Sequence, residues 1–459
     1  MKINEEVFRM YDIRGIADVD IDEEFAYKLG LAYSVYAGGN GNVCVGGDVR
    51  ITTEKYKKSL IDGLRDGGLN VIDIGTVPTP LMYFSLFNLD VIGGIQVTAS
   101  HNPKEYNGFK ISVGKETIYG EQIQKLKFLF QTNIVPSKIK GSYERYNISE
   151  KYVQFLNSKF QFEKEFNLVI DTGNGVVGII IPDILKALKI KYKGLFIEVD
   201  GNFPNHLPDP TVVNYMKWAI EEVKNGNYDG AFGYDGDGDR IGIVDEKGNL
   251  VFGDKIVAII SRGILRKYKG AKIILDVKCS KGVIEYIQNL GGEVILYKTG
   301  HSLMKAKLKE LNSPLAGEMS GHIFIRDDFF GYDDAIYSSL RFLKEIEISN
   351  KSFYENFEEI PFYYSTPEIR VEVHPESKKF EIVNELVNKF KQKRYNVIDI
   401  DGARIEFEDG FILIRASNTQ PVLVLRFEAK TEEKLSLYQN LLYDELKAYK
   451  QFLNYPDLN

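Results

Sequence analysis

Three carboxylates occur at alternate positions in one short segment of this sequence. Asp235, Asp237 and Asp239 are separated by glycines, which allow the backbone to curl tightly. Because close carboxylates repel one another and oxygen ligands suit hard cations, the segment predicts a divalent metal site. Arg240 stands where an EF-hand loop requires glycine, which argues against that calcium motif. The few ligands leave room for phosphate oxygens, so we expect Mg²⁺, with an acidic surface turn as the alternative.

A second polar segment, residues 98–103, lies between two apolar runs. Ser100 in this segment can carry a phosphoryl group if a metal offsets the poor nucleophilicity of its hydroxyl. His101 follows directly, but neighbouring Ser and His do not by themselves form a nucleophile and base, so a capping turn is the alternative. Lys110 returns on the next apolar run, where it reaches the same cleft or lies on the surface.

A third segment carries three polar side chains of different chemistry at alternate positions. In an extended backbone, Glu318, Ser320 and His322 project to one face, where they suit the hydroxyls of a sugar. A carboxylate, a hydroxyl and an imidazole also form ordinary hydrogen-bonded turns, so this segment alone leaves both interpretations open.

A fourth segment near the C-terminus combines arginine with clustered hydroxyl and amide groups. Arg415 begins it, Ser417, Asn418 and Thr419 follow, and Arg426 returns on the next apolar run. Arginine binds phosphate oxygens bidentately, and turn backbones add further N–H donors. We expect a phosphate site here, with a salt-bridged surface turn as the alternative.

The elements that must position these segments recur three times. Each repeat has a β-branched run that ends in a polar turn, an amphipathic helical pattern and another short strand, which together predict a βαβ unit. Two apolar strands joined by one of the first three polar segments then follow, so these segments are expected to face a common cleft. The three initial strands are residues 42–45, 168–170 and 273–275.

From residue 362 onward the pattern changes to strands mixed with fewer helices. We therefore expect an α/β fold in which three related α/β domains with mixed sheets and a smaller C-terminal α+β domain surround a central cleft. The expected domains are 1–147, 148–249, 250–361 and 362–459.

Composition narrows the class of molecule that we expect this protein to bind. The 459 residues are 44% hydrophobic and 27% charged, as in ordinary globular proteins, and the net charge of -7 disfavours nucleic acid. Cys44 and Cys279 lie outside any metal-binding spacing, which favours a reducing cytoplasm. We found neither a signal sequence nor a run of about 20 apolar residues, and neither a Walker A nor a dinucleotide-binding motif. We expect a small-molecule partner, without nucleic acid or membrane.

Taken in order, these segments make the sequence resemble the α-D-phosphohexomutase family over essentially its whole length. The resemblance rests on residues 11–15, 98–103, 235–240, 317–322 and 415–421, and Met319 resembles the phosphomannomutase/phosphoglucomutase branch. Gly47 and Gln420 depart from the family, which often has arginine and glutamate at these places. Neither departure removes a catalytic group.

The resemblance implies a role for each segment. Ser100 would carry the phosphoryl group, and it would hold Mg²⁺ together with the three aspartates. The general acid or base would come from Lys110, which we favour, or from three other residues. These are His101, Arg14 and Arg240. The remaining implied contacts are to substrate: Tyr11, Lys278, Thr299, Gly300, His301, Glu318, Ser320, His322, Arg415, Ser417, Asn418, Thr419 and Arg426.

The implied activity is an isomerase that interconverts hexose 1-phosphate and hexose 6-phosphate, of mannose, glucose or both. It would pass through a phosphoserine and a bisphosphorylated sugar, with glucose 1,6-bisphosphate or mannose 1,6-bisphosphate as activator. A monomer or homodimer is expected. The alternatives are a phosphoglucosamine mutase, a Mg²⁺-dependent sugar phosphatase and a phosphosugar-binding protein.

Overall fold

Four β-sheets, arranged one after another along the chain, organise the structure. The computed structural model describes residues 4–417 and 420–455. The first three sheets mix parallel and antiparallel pairs, whereas the pairs of the fourth are antiparallel. The expected fold class, three related α/β domains and a C-terminal α+β domain, is confirmed.

Domain I has a sheet with the order β1-β5-β4-β2-β3-β7, in which β6 pairs with β5. A short 3-10 helix, Glu5–Val7, precedes it. Its elements are β1 (Ile13–Ile16), α1 (Glu23–Tyr36), β2 (Asn42–Gly47), α2 (Thr53–Asp66), β3 (Asn70–Thr76), α3 (Thr79–Asn88), β4 (Gly93–Val97), β5 (Tyr106–Val113), β6 (Glu116–Thr117), α4 (Glu121–Gln131) and β7 (Tyr143–Arg145).

Domain II has a five-stranded sheet with the order β12-β11-β10-β8-β9. Its elements are α5 (Ile148–Lys159), β8 (Asn167–Asp171), a 3-10 helix (Val176–Ile179), α6 (Ile181–Ala187), β9 (Lys191–Leu195), α7 (Lys217–Asn225), β10 (Gly230–Tyr234), β11 (Ile241–Asp245) and β12 (Leu250–Val251). Because β12 pairs with β11, this sheet extends two residues past the boundary expected at residue 249.

Domain III has a four-stranded sheet with the order β14-β13-β15-β16. Its elements are α8 (Gly253–Lys267), β13 (Lys272–Asp276), α9 (Lys281–Asn289), β14 (Glu293–Tyr297), α10 (His301–Glu310), β15 (Leu315–Gly317), β16 (Ile323–Ile325), α11 (Ala335–Ser349) and α12 (Phe353–Phe357). The central strand β13 is apolar on both faces because the sheet is covered on both sides.

Domain IV has a sheet with the order β19-β20-β21-β22-β18-β23, in which β17 pairs with β22. Its elements are β17 (Tyr364–Ser365), β18 (Ile369–Val373), α13 (Lys378–Gln392), β19 (Asn396–Ile398), β20 (Ala403–Phe407), β21 (Gly410–Ala416), β22 (Val422–Ala429), α14 (Glu432–Leu446), a 3-10 helix (Lys447–Phe452) and β23 (Leu453–Asn454).

The same hairpin recurs in the first three domains. In each, two strands pair in parallel with the first strand of the repeat, and the second of these forms an antiparallel hairpin with the strand that follows. The loop of each hairpin is one of the polar segments singled out in the sequence. We call them the serine loop (98–105), the aspartate loop (235–240) and the glutamate loop (318–322).

Hydrophobic packing unites the first three domains and leaves the fourth more separate. One continuous apolar core includes side chains from β2, α3, α5, β8, α8, β13 and α11. Domain IV has its own core, joined to domain III by the small cluster of Val277, Phe411 and Leu413. Among the described residues, no helix is both long and apolar enough to cross a membrane.

Candidate active site

Ser100 lies in the serine loop with its hydroxyl directed at the aspartate loop. The residue is buried, and its φ of +52° is a left-handed conformation that non-glycine residues seldom adopt. Its Oγ donates a hydrogen bond to Oδ2 of Asp235 at 2.7 Å and lies 3.1 Å from Nδ1 of His101. Burial, reinforced by the charge of Arg240, lowers the pKa of His101 well below its ordinary value. The serine hydroxyl therefore faces one carboxylate and one neutral imidazole.

The backbone of the serine loop is held by Arg50, a residue that the sequence patterns did not single out. Its guanidinium donates to the carbonyl oxygens of Ser100 and Asn102, at 2.7 and 2.5 Å. It also donates to those of Pro103 and Tyr106, at 2.7 and 3.0 Å. One buried side chain thus donates to three carbonyl groups of the serine loop and to that of Tyr106, the first residue of β5.

Asp48 completes this support from the end of β2. Its Oδ2 accepts a hydrogen bond from Oγ1 of Thr98 at 2.7 Å and lies 3.2 Å from Nε of Arg50. Asp171 and Asp276 end the equivalent strands β8 and β13. An aspartate that recurs after the first strand of each repeat is the sequence signal that would have identified Asp48.

The aspartate loop places all three carboxylates in the interior, fully buried. Oδ1 of Asp235 accepts the N–H groups of Gly238, Asp239 and Arg240 at 3.0 to 3.1 Å, which closes the loop around it. Gly236 is required for the close approach of the two loops, because a Cβ there would lie 2.4 Å from the carbonyl oxygen of Ser100. Burial, followed by repulsion from the two neighbouring aspartates, raises the pKa of Asp235 well above its ordinary value.

The donor set of this loop fits a divalent cation. Carboxylate oxygens of Asp235, Asp237 and Asp239 lie within 4.8 Å of one another. Oδ1 of Asp237 and Oδ1 of Asp239 are buried, and neither has a hydrogen-bond partner within residues 4–417 and 420–455. Buried acceptors without a donor cost free energy, whereas a bound cation would satisfy both.

Lys110 reaches the same loop from β5. Its Nζ donates to Oδ2 of Asp237 at 2.6 Å and also to Oδ2 of Asp239. Burial opposes a charge here, but these two carboxylates outweigh it and raise the pKa of Lys110 well above its ordinary value. These ion pairs suit Lys110 to stabilise negative charge, and its role as the general acid or base, which we favour from the sequence, stays a prediction.

The glutamate loop bonds to the segment 299–300 of its own domain, and that segment contacts domain I. Oε1 of Glu318 accepts from the N–H of Gly300 at 2.9 Å, and Oε2 accepts from Oγ of Ser320 at 2.9 Å. Gly300 has a φ of +136°, and a Cβ there would lie 2.6 Å from the ring of Tyr11. The hydroxyl of Tyr11 donates to the carbonyl of Thr299 at 2.9 Å. These candidates thus lie together where domains I and III meet.

Domain IV joins this group through Asp401, which the sequence patterns also missed. Oδ2 of Asp401 accepts from Nε of Arg415 at 2.9 Å and from the N–H of Thr299 at 3.1 Å. Ser417, two positions after Arg415 in the sequence, is also buried. The other two candidates of this segment lie outside the described residues: Asn418 and Thr419.

Lys278 and Arg426, which we expect to contact substrate, are hydrogen-bonded to protein groups at the interface between domains III and IV. Nζ of Lys278 donates to Oε2 of Glu368 at 3.3 Å. Nη1 of Arg426 donates to the carbonyl of Lys278, and Nη2 donates to Oε1 of Glu428 at 3.3 Å. These bonds hold Arg426 at this interface, while its Nε has no hydrogen-bond partner among the described residues.

The remaining candidates lie near His101, the neighbour of Ser100. Nε of Arg240 donates to Nε2 of His322 at 2.9 Å, and the His322 ring stacks on His301 at 5.6 Å between centroids. Arg14 donates to Oδ1 of Asn102 at 2.7 Å. The charges that act on His101 come from Arg240, Arg14, His322 and Lys110. Four of the candidates proposed as catalytic or substrate-binding thus lie around one histidine beside Ser100.

The aspartate and glutamate loops are also joined through their backbones. Arg240 and His322 form an antiparallel β-bridge, and the N–H of Ile241 donates to the carbonyl of Gly321 at 3.2 Å. The metal site and the face that carries Glu318 therefore form one unit that spans domains II and III.

Comparisons with known proteins match every domain. Models of phosphoglucomutase/phosphomannomutase domains I, II and III, each described as alpha/beta/alpha, match residues 5–133, 150–248 and 252–363. The model of the C-terminal domain matches residues 368–445. Together these matches cover most of the chain in the order of the four sheets.

Similar proteins align over nearly the full chain. A phosphomannomutase/phosphoglucomutase of Pseudomonas aeruginosa is 41% identical and covers 98% of this chain and 97% of its own. The crystal structure of a phosphoglucomutase/phosphomannomutase family protein from Burkholderia thailandensis has a TM-score of 0.91 at 37% identity, covering 99% and 100% of the two chains.

A more distant similarity extends to a complex with a bisphosphorylated sugar. An N-acetylphosphoglucosamine mutase of Aspergillus fumigatus, in complex with glucose 1,6-bisphosphate, has a TM-score of 0.66. It is 14% identical and covers 97% of this chain and 96% of its own. At this level of identity the similarity concerns the fold alone.

Proposed function

This chain belongs to the phosphoglucomutase/phosphomannomutase family, and from that premise we propose that it is a phosphohexomutase that uses Ser100 as its phosphoryl carrier. It interconverts hexose 1-phosphate and hexose 6-phosphate, of mannose, glucose or both, through a bisphosphorylated sugar. It is therefore an isomerase that returns to its starting form after each cycle.

The observation that supports this proposal best is the contact between the serine and aspartate loops. Oγ of Ser100 lies 2.7 Å from Asp235, within a cluster whose unsatisfied carboxylate oxygens fit Mg²⁺. Aspartates 235, 237 and 239 would hold the ion, together with a phosphate oxygen on Ser100. When bound, Mg²⁺ would offset the negative charge that develops on the phosphoryl group during transfer.

The covalent steps follow from this placement. A hydroxyl oxygen of the sugar phosphate attacks the phosphorus on Ser100, the P–Oγ bond breaks, the hydroxyl proton ends on Oγ of Ser100, and a hexose 1,6-bisphosphate forms. The sugar turns over in the cleft, Oγ of Ser100 gives up this proton and attacks the other phosphoryl group, and the bond from that phosphorus to the sugar oxygen breaks. The sugar oxygen takes up the proton, and the isomeric hexose phosphate is released. Lys110 pairs with two of these aspartates, so it would offer a positive charge near the transfer.

Positioning would come from groups on three domains. Glu318 and Ser320 suit the sugar hydroxyls that both orientations share, while Arg415 and Ser417 suit the phosphate that does not react. Tyr11, which bonds to Thr299, fixes domain I against this surface. Holding the reacting atoms in line is the main contribution that a protein makes to phosphoryl transfer. Glucose 1,6-bisphosphate or mannose 1,6-bisphosphate would serve as the activator that phosphorylates Ser100.

The proposal extends to the partners, the oligomeric state and the location of the protein. Its partners are hexose phosphates, and a monomer suffices because every candidate group comes from one chain, although a homodimer is compatible with it. Both cysteines are free and buried, which fits the cytoplasm.

The test is phosphorus NMR of the purified protein with a trace of glucose 1,6-bisphosphate. Glucose 1-phosphate and mannose 1-phosphate are supplied in separate tubes, with and without Mg²⁺. We expect the 6-phosphate signal to grow only in the presence of the metal. Growth of inorganic phosphate alone would indicate a phosphatase, and activity only on glucosamine 6-phosphate would indicate a phosphoglucosamine mutase.

Replacing Ser100 by alanine tests the phosphoryl carrier directly. Ser100→Ala should lower kcat by at least about 1,000-fold, because alanine has no hydroxyl that could carry the phosphoryl group. The matched control is Ser112→Ala, since Ser112 is also buried on the same hairpin and its Oγ has no hydrogen-bond partner within the described part of the chain. Near-normal turnover by Ser100→Ala would contradict the phosphoserine role.

A further inference from the structure

Thr79 is a buried residue of domain I that contacts the aspartate loop of domain II. It is the first residue of α3 and is fully inaccessible to solvent. Its Oγ1 donates a hydrogen bond to Oδ2 of Asp237 at 2.5 Å, and its N–H donates to the carbonyl of Asp237 at 2.8 Å. Neither the repeat pattern nor the four polar segments of the sequence include it.

The chain around Thr79 holds these two bonds in place. Pro78 and Pro80 flank it, so the φ angles of both neighbours are fixed and the conformation of Thr79 itself is restricted. The first N–H groups of a helix have no partner within the helix, so that of Thr79 can bond to the loop. Pro78 also lies close to the loop, because a Cβ on Gly238 would lie 3.2 Å from Cβ of Pro78. Helix α3 therefore presents Thr79 to the aspartate loop in one fixed position.

The two carboxylate oxygens of Asp237 have different surroundings. Oδ2 accepts two hydrogen bonds, from Oγ1 of Thr79 and from Nζ of Lys110 at 2.6 Å. Oδ1 is buried and accepts none from the residues that the structure describes. Because each carboxylate oxygen has about two acceptor sites, Oδ2 has no capacity left, and Oδ1 is the atom that remains for a cation.

We propose that Thr79 is a positioning residue for the metal ion: by holding Oδ2 of Asp237, it keeps Oδ1 available to Mg²⁺. The inference rests on the proposed function, because it assumes that the aspartate loop binds this ion. The ammonium of Lys110 competes with the ion for the same carboxylate. Without the hydroxyl of Thr79, the carboxylate can rotate and offer either oxygen to Lys110, and the ion loses a fixed ligand.

The alternative is that the hydroxyl of Thr79 only joins domains I and II. The two roles can be separated, because the N–H bond to Asp237 is made by the backbone and does not depend on the side chain. Valine has nearly the shape of threonine, so Thr79→Val removes the bond to the carboxylate and keeps one bond between the domains. A structural role predicts a loss of stability alone, whereas the positioning role predicts a loss of metal affinity.

The first measurement is metal binding by the full-length protein. Mn²⁺ takes the same oxygen ligands as Mg²⁺, and its free aqueous ion has an electron paramagnetic resonance signal that is lost on binding. We expect the wild type to bind Mn²⁺ and Mg²⁺ to displace it. In Thr79→Val the dissociation constant of Mn²⁺ should rise by about 10- to 100-fold, the usual effect of removing a group that orients a metal ligand.

Two variants serve as controls. Thr79→Ser keeps the hydroxyl and should bind Mn²⁺ nearly as tightly as the wild type. Ser85→Ala removes another buried hydroxyl of α3, which donates to the carbonyl of Leu81 in the same helix, and should leave the affinity unchanged. If circular dichroism shows that Thr79→Val does not fold, Thr79→Ala also lacks the hydroxyl and replaces it, with the same expected loss of affinity.

Turnover provides a second measurement. In Thr79→Val the concentration of Mg²⁺ that gives half-maximal turnover should rise by the same factor as the dissociation constant of Mn²⁺. The KM for hexose phosphate at saturating Mg²⁺ should change less than about twofold, because Thr79 acts on a metal ligand.

The two proposals fail in different ways. An unchanged Mn²⁺ affinity in Thr79→Val, or an equal loss in Thr79→Ser or Ser85→Ala, would overturn the positioning role, while mutase turnover by the wild type would still support the proposed function. Absence of mutase turnover in a wild type that binds Mn²⁺ would contradict the proposed function, while a loss of affinity in Thr79→Val would still support the role of Thr79. A wild type that binds no Mn²⁺ would overturn both the metal site and this inference.

Discussion

A single guanidinium, that of Arg50, donates to three carbonyl oxygens of the serine loop and to that of Tyr106 in β5, and so fixes the backbone that presents Ser100. The left-handed conformation of Ser100 costs free energy, and the surrounding contacts must compensate for it. The arginine supplies several of these contacts, and its ring contact with Phe203, at 5.1 Å, connects the loop to domain II. The position of the nucleophile therefore depends on a residue about fifty positions earlier in the chain.

The Arg50→Lys variant tests this dependence. A lysine cannot donate to four carbonyls at once, because its donors radiate from one nitrogen whereas those of arginine form a planar fork. We expect kcat to fall by about 100-fold, the effect of misplacing a reacting atom by about 1 Å. Steady-state kinetics and thermal melting followed by circular dichroism would measure both effects.

Arg145→Lys is the control, since Arg145 belongs to the same domain but is largely exposed. A normal kcat in Arg50→Lys, with a changed melting temperature, would reduce Arg50 to a structural role.

At the residue scale, the sequence indicates a candidate group where that group stands close to its partners along the chain. Ser100 and the three aspartates stand in short contiguous segments whose chemistry is apparent from their spacing. Asp401 bonds to a partner far away in the sequence, from a segment without a repeated pattern. Only the folded chain brings it to Thr299.

At the level of elements, two buried carboxyl groups at the start of α11, Asp333 and Asp334, have pKa values that are shifted in opposite directions. The Lys305 ammonium and the neighbouring imidazoles overcome the effect of burial and hold the pKa of Asp333 well below its ordinary value. Burial instead raises the pKa of Asp334 to about 7, although it accepts hydrogen bonds from the N–H of Tyr337 and the hydroxyl of Tyr152. Adjacent residues thus differ because only one of them faces a cation.

This difference predicts a pH dependence of stability. Between its ordinary pKa of 3.8 and about 7, Asp334 binds a proton in the folded protein but loses it on unfolding. The stability that this proton contributes to the folded protein is therefore complete below about pH 4 and is lost as the pH rises to about 7. The difference between the two pKa values corresponds to about 4 kcal/mol in the free energy of unfolding.

Melting temperatures of the wild type and of Asp334→Asn, compared between pH 5 and pH 8, would measure this contribution. The wild type should lose stability relative to the variant as the pH rises. Asp444→Asn, an exposed carboxylate, serves as the control. A difference between wild type and Asp334→Asn that does not change with pH would contradict the assignment.

Secondary structure could be predicted from the sequence because its signals are local. The three β-branched runs and their polar turns correspond to β2, β8 and β13, which pair in parallel with β3, β9 and β14. The short strand β12 was missed, since two residues carry no periodicity and only the pairing with β11 defines them.

At the level of the whole molecule, two kinds of interface hold the four domains. Domains I to III share one apolar core, whereas domain IV meets domain III mainly through polar groups around the loop after β13. Arg404, fully buried, donates to the carbonyls of Val277 and Cys279, both at 2.7 Å. Glu428 accepts from the N–H of Lys281 at 2.6 Å. The position of domain IV thus depends on a few charged hydrogen bonds.

The variant Arg404→Met should loosen this interface. Hydrogen bonds to charged groups contribute about 1.5 to 3 kcal/mol, so we expect KM for the hexose phosphate to rise at least about tenfold. The reason is that Arg415 and Ser417 belong to domain IV. Small-angle X-ray scattering should detect a larger radius of gyration.

Arg394→Met, at an exposed position of the same domain, is the matched control. An unchanged KM and radius of gyration in Arg404→Met would assign the position of domain IV to the apolar cluster instead.

The β-bridge between Arg240 and His322 has a consequence for how such chains can recombine. A crossover between related genes at residues 249–252 would combine an aspartate loop from one parent with a glutamate loop from the other. Their shared backbone bonds and side-chain partners would then have to match by chance. A crossover near residues 364–368 leaves that unit intact and exchanges only domain IV. Domains II and III should therefore come from the same parent, so the units that recombination can exchange do not coincide with the four domains.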